Sequence, residues 1–139
     1  METTLRAPTG SAGMTDDEFV AAFEGGMLTE DAFRHADHVR LAWVYLNRMP
    51  LLDAIRVYTV GLRRFAEASG APGKYHETVT WAFLVLVNER LRDGGAGLTW
   101  PEFAARNPDL LRFRDGALFE RYDPSILDSD LARKVFVLP

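Results

Sequence analysis

"VTWAFLVLV", Val79–Val87, is apolar at every position except Thr80. With "GKYHET" before it and "NERLRDGG" after it, the stretch predicts a helix from about Tyr75 to Arg92. Such a helix has no side to offer water, so it belongs in the middle of a bundle. Its uninterrupted core, "WAFLVLV", falls far short of the roughly 20 apolar residues that a membrane span needs. The reading is therefore a buried helix and not an anchor.

The neighbouring segments supply partners for it. Leu51, Ile55, Tyr58, Leu62 and Phe65 recur at helical spacing, while Asp53, Arg56, Arg63, Arg64 and Glu67 are left for solvent. Pro50 and Gly70 bound that helix. Thr15 with Glu18 has the form of a capping box ahead of Phe19, Val20 and Phe23, and Gly25-Gly26 ends the segment. Another helix runs from Thr29 or Phe33 to Met49. Beyond the glycine-rich "RDGGAGL", Thr99 and Glu102 repeat the capping-box pattern around Pro101. From Asn107 onward the pattern breaks into short helices and turns. The expected fold is all-α: a single-domain helical bundle over residues 15–139, with four main helices and an irregular C-terminal wrap. Residues 1–14 are expected to form a flexible tail, without the basic start and apolar core of a secretory signal.

The composition of the 139 residues removes several functions. There is no cysteine, which excludes disulfides, thiolate metal sites, iron–sulfur clusters and thiol nucleophiles. A formal charge of −4 gives no general electrostatic reason to bind nucleic acid or an anionic membrane. No dinucleotide fingerprint, phosphate loop or nucleophile elbow is present. A cytoplasmic location is the default expectation, and the oligomeric state is not legible.

The chemistry rests on three histidines. "FRHADHVRLAW", Phe33–Trp43, holds two of them at i and i+3. On a wheel with His35 at zero, His38 falls near 300°, Ala42 near 340° and Leu46 near 20°, all approximate. Arg34, Asp37, Arg40, Asn47 and Arg48 take the opposite arc together with Leu41 and Val44, which need cover from the C-terminal wrap or another subunit. Both imidazoles thus face inward and can converge on one ion. His76 opens the most buried helix on its inward side, which would complete a three-nitrogen site with an open position. Glu77, about 100° round the wheel, would be a fourth ligand or an acid/base group. Nitrogen ligation without sulfur suits one divalent transition metal: zinc, iron, copper, nickel or manganese. The plain alternative is that His35 and His38 are hydrogen-bonded core residues, His76 bonds a backbone carbonyl, and Glu77 answers the helix dipole.

Other residues point the same way more weakly. Lys74, after a Gly-Ala-Pro-Gly loop and before a helix, is placed to meet a substrate carboxylate or phosphate, or is simply an exposed loop lysine. Tyr45, Tyr58, Tyr75, Trp43, Trp81 and Phe83 suit the wall of a pocket for a flat organic molecule, or a plain core.

With "FRHADHVRLAW", "GLRRFAEASGAPGKYHETVTWAF" and "NPDLL" in view, residues 29 to 137 resemble a family of small bacterial proteins of unknown function. The resemblance implies no activity. A looser likeness of architecture links the chain to DinB-type four-helix bundles, which hold a metal with three histidines and include thiol-dependent transferases and isomerases. Their histidine spacing differs, so no residue or reaction carries over.

The leading expectation is a small metal-dependent enzyme with His35, His38 and His76 as ligands and Glu77 and Tyr75 in catalysis. Trp81, Tyr45 and Lys74 would meet a small organic substrate, with either Lewis-acid or oxidative chemistry. The alternatives are a metal-free helical binding or interaction module, and a metal-free acid/base enzyme using His76 with Glu77.

Overall fold

A computed structural model describes residues 11–139; most of the expected tail lies outside the described residues. Among those described, every regular element is helical. The order is α1 (Asp16–Glu24), α2 (His35–Arg48), α3 (Leu51–Ala68), α4 (Glu77–Arg90), α5 (Trp100–Arg106), α6 (Ala117–Arg121), α7 (Pro124–Leu127) and α8 (Asp130–Lys134). Short 3₁₀ turns at Glu30–Ala32, Pro72–Lys74 and Pro108–Leu110 join them. The all-helical expectation holds, with eight helices among the described residues. No helix is long and apolar enough to cross a membrane among the described residues.

The apolar helix α4 lies against α2, α3, α6 and α8. Its Phe83, Leu84, Leu86 and Val87 join one buried cluster that draws on every element from α1 to α7. Burial of that apolar surface is the main favourable term of the fold. Local signals set the ends. Thr15 and Glu18 form the reciprocal cap of α1, with bonds of 2.8 and 3.1 Å, and Thr99 and Glu102 repeat it at α5 with 2.9 and 3.3 Å. After Arg90 the chain leaves α4 through a wide turn, Leu91–Gly95, where Gly94 takes φ 83°, a value that favours glycine.

Part of the polar arc of α2 is buried. Asp37 and Arg40 are only 9% and 6% exposed. The segment leading into α1 covers them: Asp37 Oδ1 accepts from the Ser11 amide at 2.7 Å and its hydroxyl at 2.8 Å. Asp37 Oδ2 accepts from the Arg34 amide at 2.9 Å, which closes the first turn of α2. Arg40 donates to the Ser11 carbonyl at 2.6 Å, the Met14 carbonyl at 2.8 Å and Asp16 at 2.9 Å, and its guanidinium lies over the Phe19 ring. Residues 11–14, expected to belong to the loose tail, are docked instead. The same packing leaves Leu41 and Val44 at 0% and 2% exposure within one chain, so neither needs another subunit for cover.

The C-terminal segments hang on α4 through its own polar groups. Arg90 makes a two-bond pair with Asp109, at 2.9 and 2.6 Å, and reaches Asn107 at 2.9 Å. That guanidinium holds the Asp109 carboxyl below the usual carboxylate range. Thr78 donates to the Val135 carbonyl and accepts from the Val137 amide, at 2.9 and 3.0 Å. Gly116 sits where a Cβ would lie 2.2 Å from the carbonyl oxygens of both Asp109 and Arg112. No side chain fits there.

Two outcomes are expected from urea unfolding. Asp37→Ala strips acceptors from the Ser11 and Arg34 amides and lowers stability by about 2 kcal/mol or more, with faster amide exchange over residues 11–16. Asp31→Ala, at an exposed carboxylate, stays within about 0.5 kcal/mol of wild type. Gly116→Ala forces backbone apart and costs about 2 kcal/mol or more. Gly73→Ala adds a methyl group into open space and serves as its control.

Candidate functional site

α2, α3 and α4 do not close completely on one another. Between them lies a partly open cavity of about 500 Å³, within the size range of small-molecule sites. All three histidines line it. His35 and His38 come from the first two turns of α2, one helical step apart on the same side, as the wheel predicts. Tyr58, Leu62 and Phe65 form the α3 wall, and Thr80 and Phe83 the α4 wall. Lys74, Tyr75 and Arg133 stand where the 3₁₀ turn and α8 reach the cavity.

The three imidazoles have different partners. His76 is the residue before the first turn of α4, with φ −133°, and acts as the helix cap. Its Nδ1 accepts from the Val79 amide at 3.2 Å, and its Nε2–H donates to the Leu127 carbonyl at 2.7 Å. A carbonyl only accepts and an amide N–H only donates, so these partners select the neutral Nε2–H tautomer. Both nitrogens are committed.

His35 donates from Nε2 to the Leu110 carbonyl at 3.0 Å, and Phe83 and Phe113 present their rings edge-on to it. That leaves Nδ1 as its lone-pair nitrogen. His38 stacks on Phe33 with ring centres 3.9 Å apart. Desolvation pushes the His38 pKa down to about 4, helped by neighbouring His35 and opposed by the Phe33 carbonyl and Asp37. Burial lowers His35 as well, against its bond to Leu110. The cavity therefore presents two uncharged imidazoles at neutral pH.

Of the other expected site residues, Tyr75 and Lys74 line the cavity; Glu77, Trp81 and Tyr45 do not. Glu77 Oε1 accepts from the Tyr75 hydroxyl and from Arg63 at 3.1 Å, and the Arg63 guanidinium covers the Tyr75 ring. Burial first and Glu77 second push the Tyr75 phenol up to about 12. Glu77 thus braces the outer edge of Tyr75, and no His76–Glu77 acid/base pair assembles. Trp81 stacks on Phe136 with centres 5.1 Å apart, and Tyr45 donates to Glu24 at 2.7 Å. Among the described residues, no group of three or more His, Asp or Glu side chains is arranged to hold a metal ion.

Phe33, Phe113, Glu30 and Arg133 belong to the cavity without having been singled out as site residues. Phe33 lay inside the quoted histidine stretch. Nothing local marks Phe113, in the turn before α6, or Arg133, on α8.

The sign of the pH effect at His38 follows from its depressed pKa. The folded state takes the proton less readily than the unfolded chain, whose histidine keeps its ordinary 6.5. The contribution of this group to stability is full above about pH 6.5 and falls as the pH drops toward 4, by about 3 kcal/mol in all. Urea midpoints measured from pH 7.5 to 4.5 are expected to decline in wild type and to decline less in His38→Gln, where the lowered His35 still contributes. Parallel declines in the two proteins would place the acid sensitivity elsewhere.

Comparison with protein-family models, with curated proteins and with solved structures returns no match, so the cavity itself is what bears on function.

Proposed function

We propose that this chain binds a small, largely apolar organic molecule in the cavity between α2, α3 and α4. The carrying observation is that His35 and His38 open, uncharged, onto a space of about 500 Å³ whose walls are otherwise mainly apolar and aromatic. Aromatic faces such as Phe33, Phe65 and Phe83 supply contact area, and the imidazoles supply hydrogen bonds that orient a polar group on the ligand. The partner in this reading is a small molecule in the cytoplasm and not a nucleic acid, in keeping with the formal charge of −4.

The second reading is the mononuclear metal enzyme. It is favoured by the three histidines sharing one cavity, with His35 Nδ1 uncommitted. It requires His76 to release either Val79 or Leu127 before it can offer a lone pair. Such a change would uncap α4 or free the turn at Leu127.

Two measurements divide the readings. Saturation-transfer NMR with a panel of naphthalene and indole derivatives is expected to detect binding to wild type. Ala66→Phe places a ring into the cavity wall and is expected to abolish it. Binding that survives this filling would remove the cavity from the proposal. Elemental analysis of tag-free protein after incubation with first-row divalent ions is expected to find no stoichiometric metal. Metal bound one to one and lost from folded His35→Ala, His38→Ala and His76→Ala would instead establish the second reading.

A further inference from the structure

We propose that the ligand of this cavity is an amphipathic organic anion, with an apolar or aromatic body inside and a carboxylate received at the mouth by Arg133. The inference rests on the cavity being the ligand site and adds the chemical class of its occupant.

Among the described residues, the cavity lining contains three acidic or basic side chains besides the histidines: Glu30, Lys74 and Arg133. Lys74 and Glu30 face each other at 3.4 Å, so their charges largely offset. Arg133 has no such partner. None of the ion pairs among the described residues includes it. Its one hydrogen bond among the described residues runs from Nη1 to the Gly73 carbonyl at 3.0 Å. A guanidinium has five N–H donors in a planar fork, so most of this one remains available. The Gly73 bond ties α8 to the 3₁₀ turn and restrains the fork in place, which lowers the entropy lost when an anion docks.

The surface beside the mouth extends the argument. A shallower hollow of about 380 Å³ shares Tyr75 and Arg133 with the cavity, so these two side chains form a common wall. Its charged members are Arg63, Glu67, Arg133 and Lys134. Arg63 is already satisfied by Glu77, which leaves Arg133 and Lys134 facing a single carboxylate, Glu67. An apolar space thus ends at a rim with a small cationic excess. One uncompensated guanidinium matches one carboxylate, which it can receive through two parallel N–H bonds. A phosphate dianion would ask for more positive charge than the rim holds.

The test uses naphthalene-2-acetate, its neutral amide and naphthalen-2-ylmethylphosphonate, titrated into the full chain at low ionic strength by calorimetry. The acid is expected to bind about fivefold or more tightly than the amide, a preference that shrinks in 1 M salt. Arg133→Gln is expected to remove the preference and leave amide binding unchanged. Arg64→Gln, which deletes the same charge on α3 away from the mouth, is expected to keep it. Equal binding of acid and amide to wild type would overturn the inference, as would a parallel loss of both in Arg133→Gln. A phosphonate preferred over the acid would overturn the carboxylate assignment. Binding of neither acid nor amide, or binding that persists in Ala66→Phe, would overturn the cavity reading itself.

Discussion

The burial of α4 is the constraint on which the rest of the molecule depends. A helix that carries Val79–Val87 with one polar interruption must be covered on all sides, yet α2 and α3 shield only part of it. The remainder is covered by chain that comes later, in pieces too short to be stable as helices by themselves. Polar groups along α4 hold those pieces. His76 at its start takes the Leu127 carbonyl, Thr78 takes the backbone at Val135 and Val137, and Arg90 at its end takes Asn107 and Asp109. Each bond satisfies a backbone or side-chain group that would otherwise lose water without compensation. The apolar body of α4 supplies the driving force, and its polar ends set the register of what lies over it.

That division of labour separates the three histidines. His76 is part of the scaffold, because capping α4 and holding Leu127 occupy both of its nitrogens. His35 is intermediate: one nitrogen holds Leu110, and the ring borders the cavity. His38 has a strongly depressed pKa, with Phe33 stacked on its ring and the cavity beside it. Shared lining is thus a weaker condition than shared ligation. Three imidazoles can border one space while their lone pairs and protons answer to different backbone groups.

What was legible in the sequence is what short-range geometry controls. The caps at Thr15–Glu18 and Thr99–Glu102 span three residues, and the α3 stripe repeats within two turns, so local pattern suffices. The inward placement of His35 and His38 belongs to the same class, since helical rotation alone decides it. The burial of Asp37 and Arg40 was not legible, because their cover comes from residues 11–16, more than 20 positions away. Histidine is not among the favoured N-cap residues, so the capping role of His76 carries no signature. Phe113 and Arg133 join the cavity from C-terminal segments that Arg90 and Thr78 position, and no local spacing connects them to His38. The scaffold of the site was readable in outline; its rim was not.

The size of the cavity bears on what kind of protein this is. Close-packed interiors leave few voids larger than a water molecule, and a dry cavity costs about 24 cal/mol per Å³. At about 500 Å³ such a void would cost as much as the whole stability of an ordinary domain, so this space is open to water or to a ligand and not a packing defect. Water is poorly served along the apolar walls. Phe33, Phe65, Phe83 and Leu62 offer it no hydrogen bonds, while the Leu110 and Leu127 carbonyls are already taken by His35 and His76. Larger side chains at Ala42 and Ala66 would close the gap and add dispersion contacts along α2 and α3. A sequence that keeps alanine at both positions, with aromatic rings and a low-pKa histidine around them, forgoes stability that it could readily gain. Displacing poorly held water from aromatic walls returns part of it when an apolar ligand enters. On the proposed reading, the same alanines that weaken the fold make room for a ligand, and this trade-off is the physical reason to read the cavity as a site.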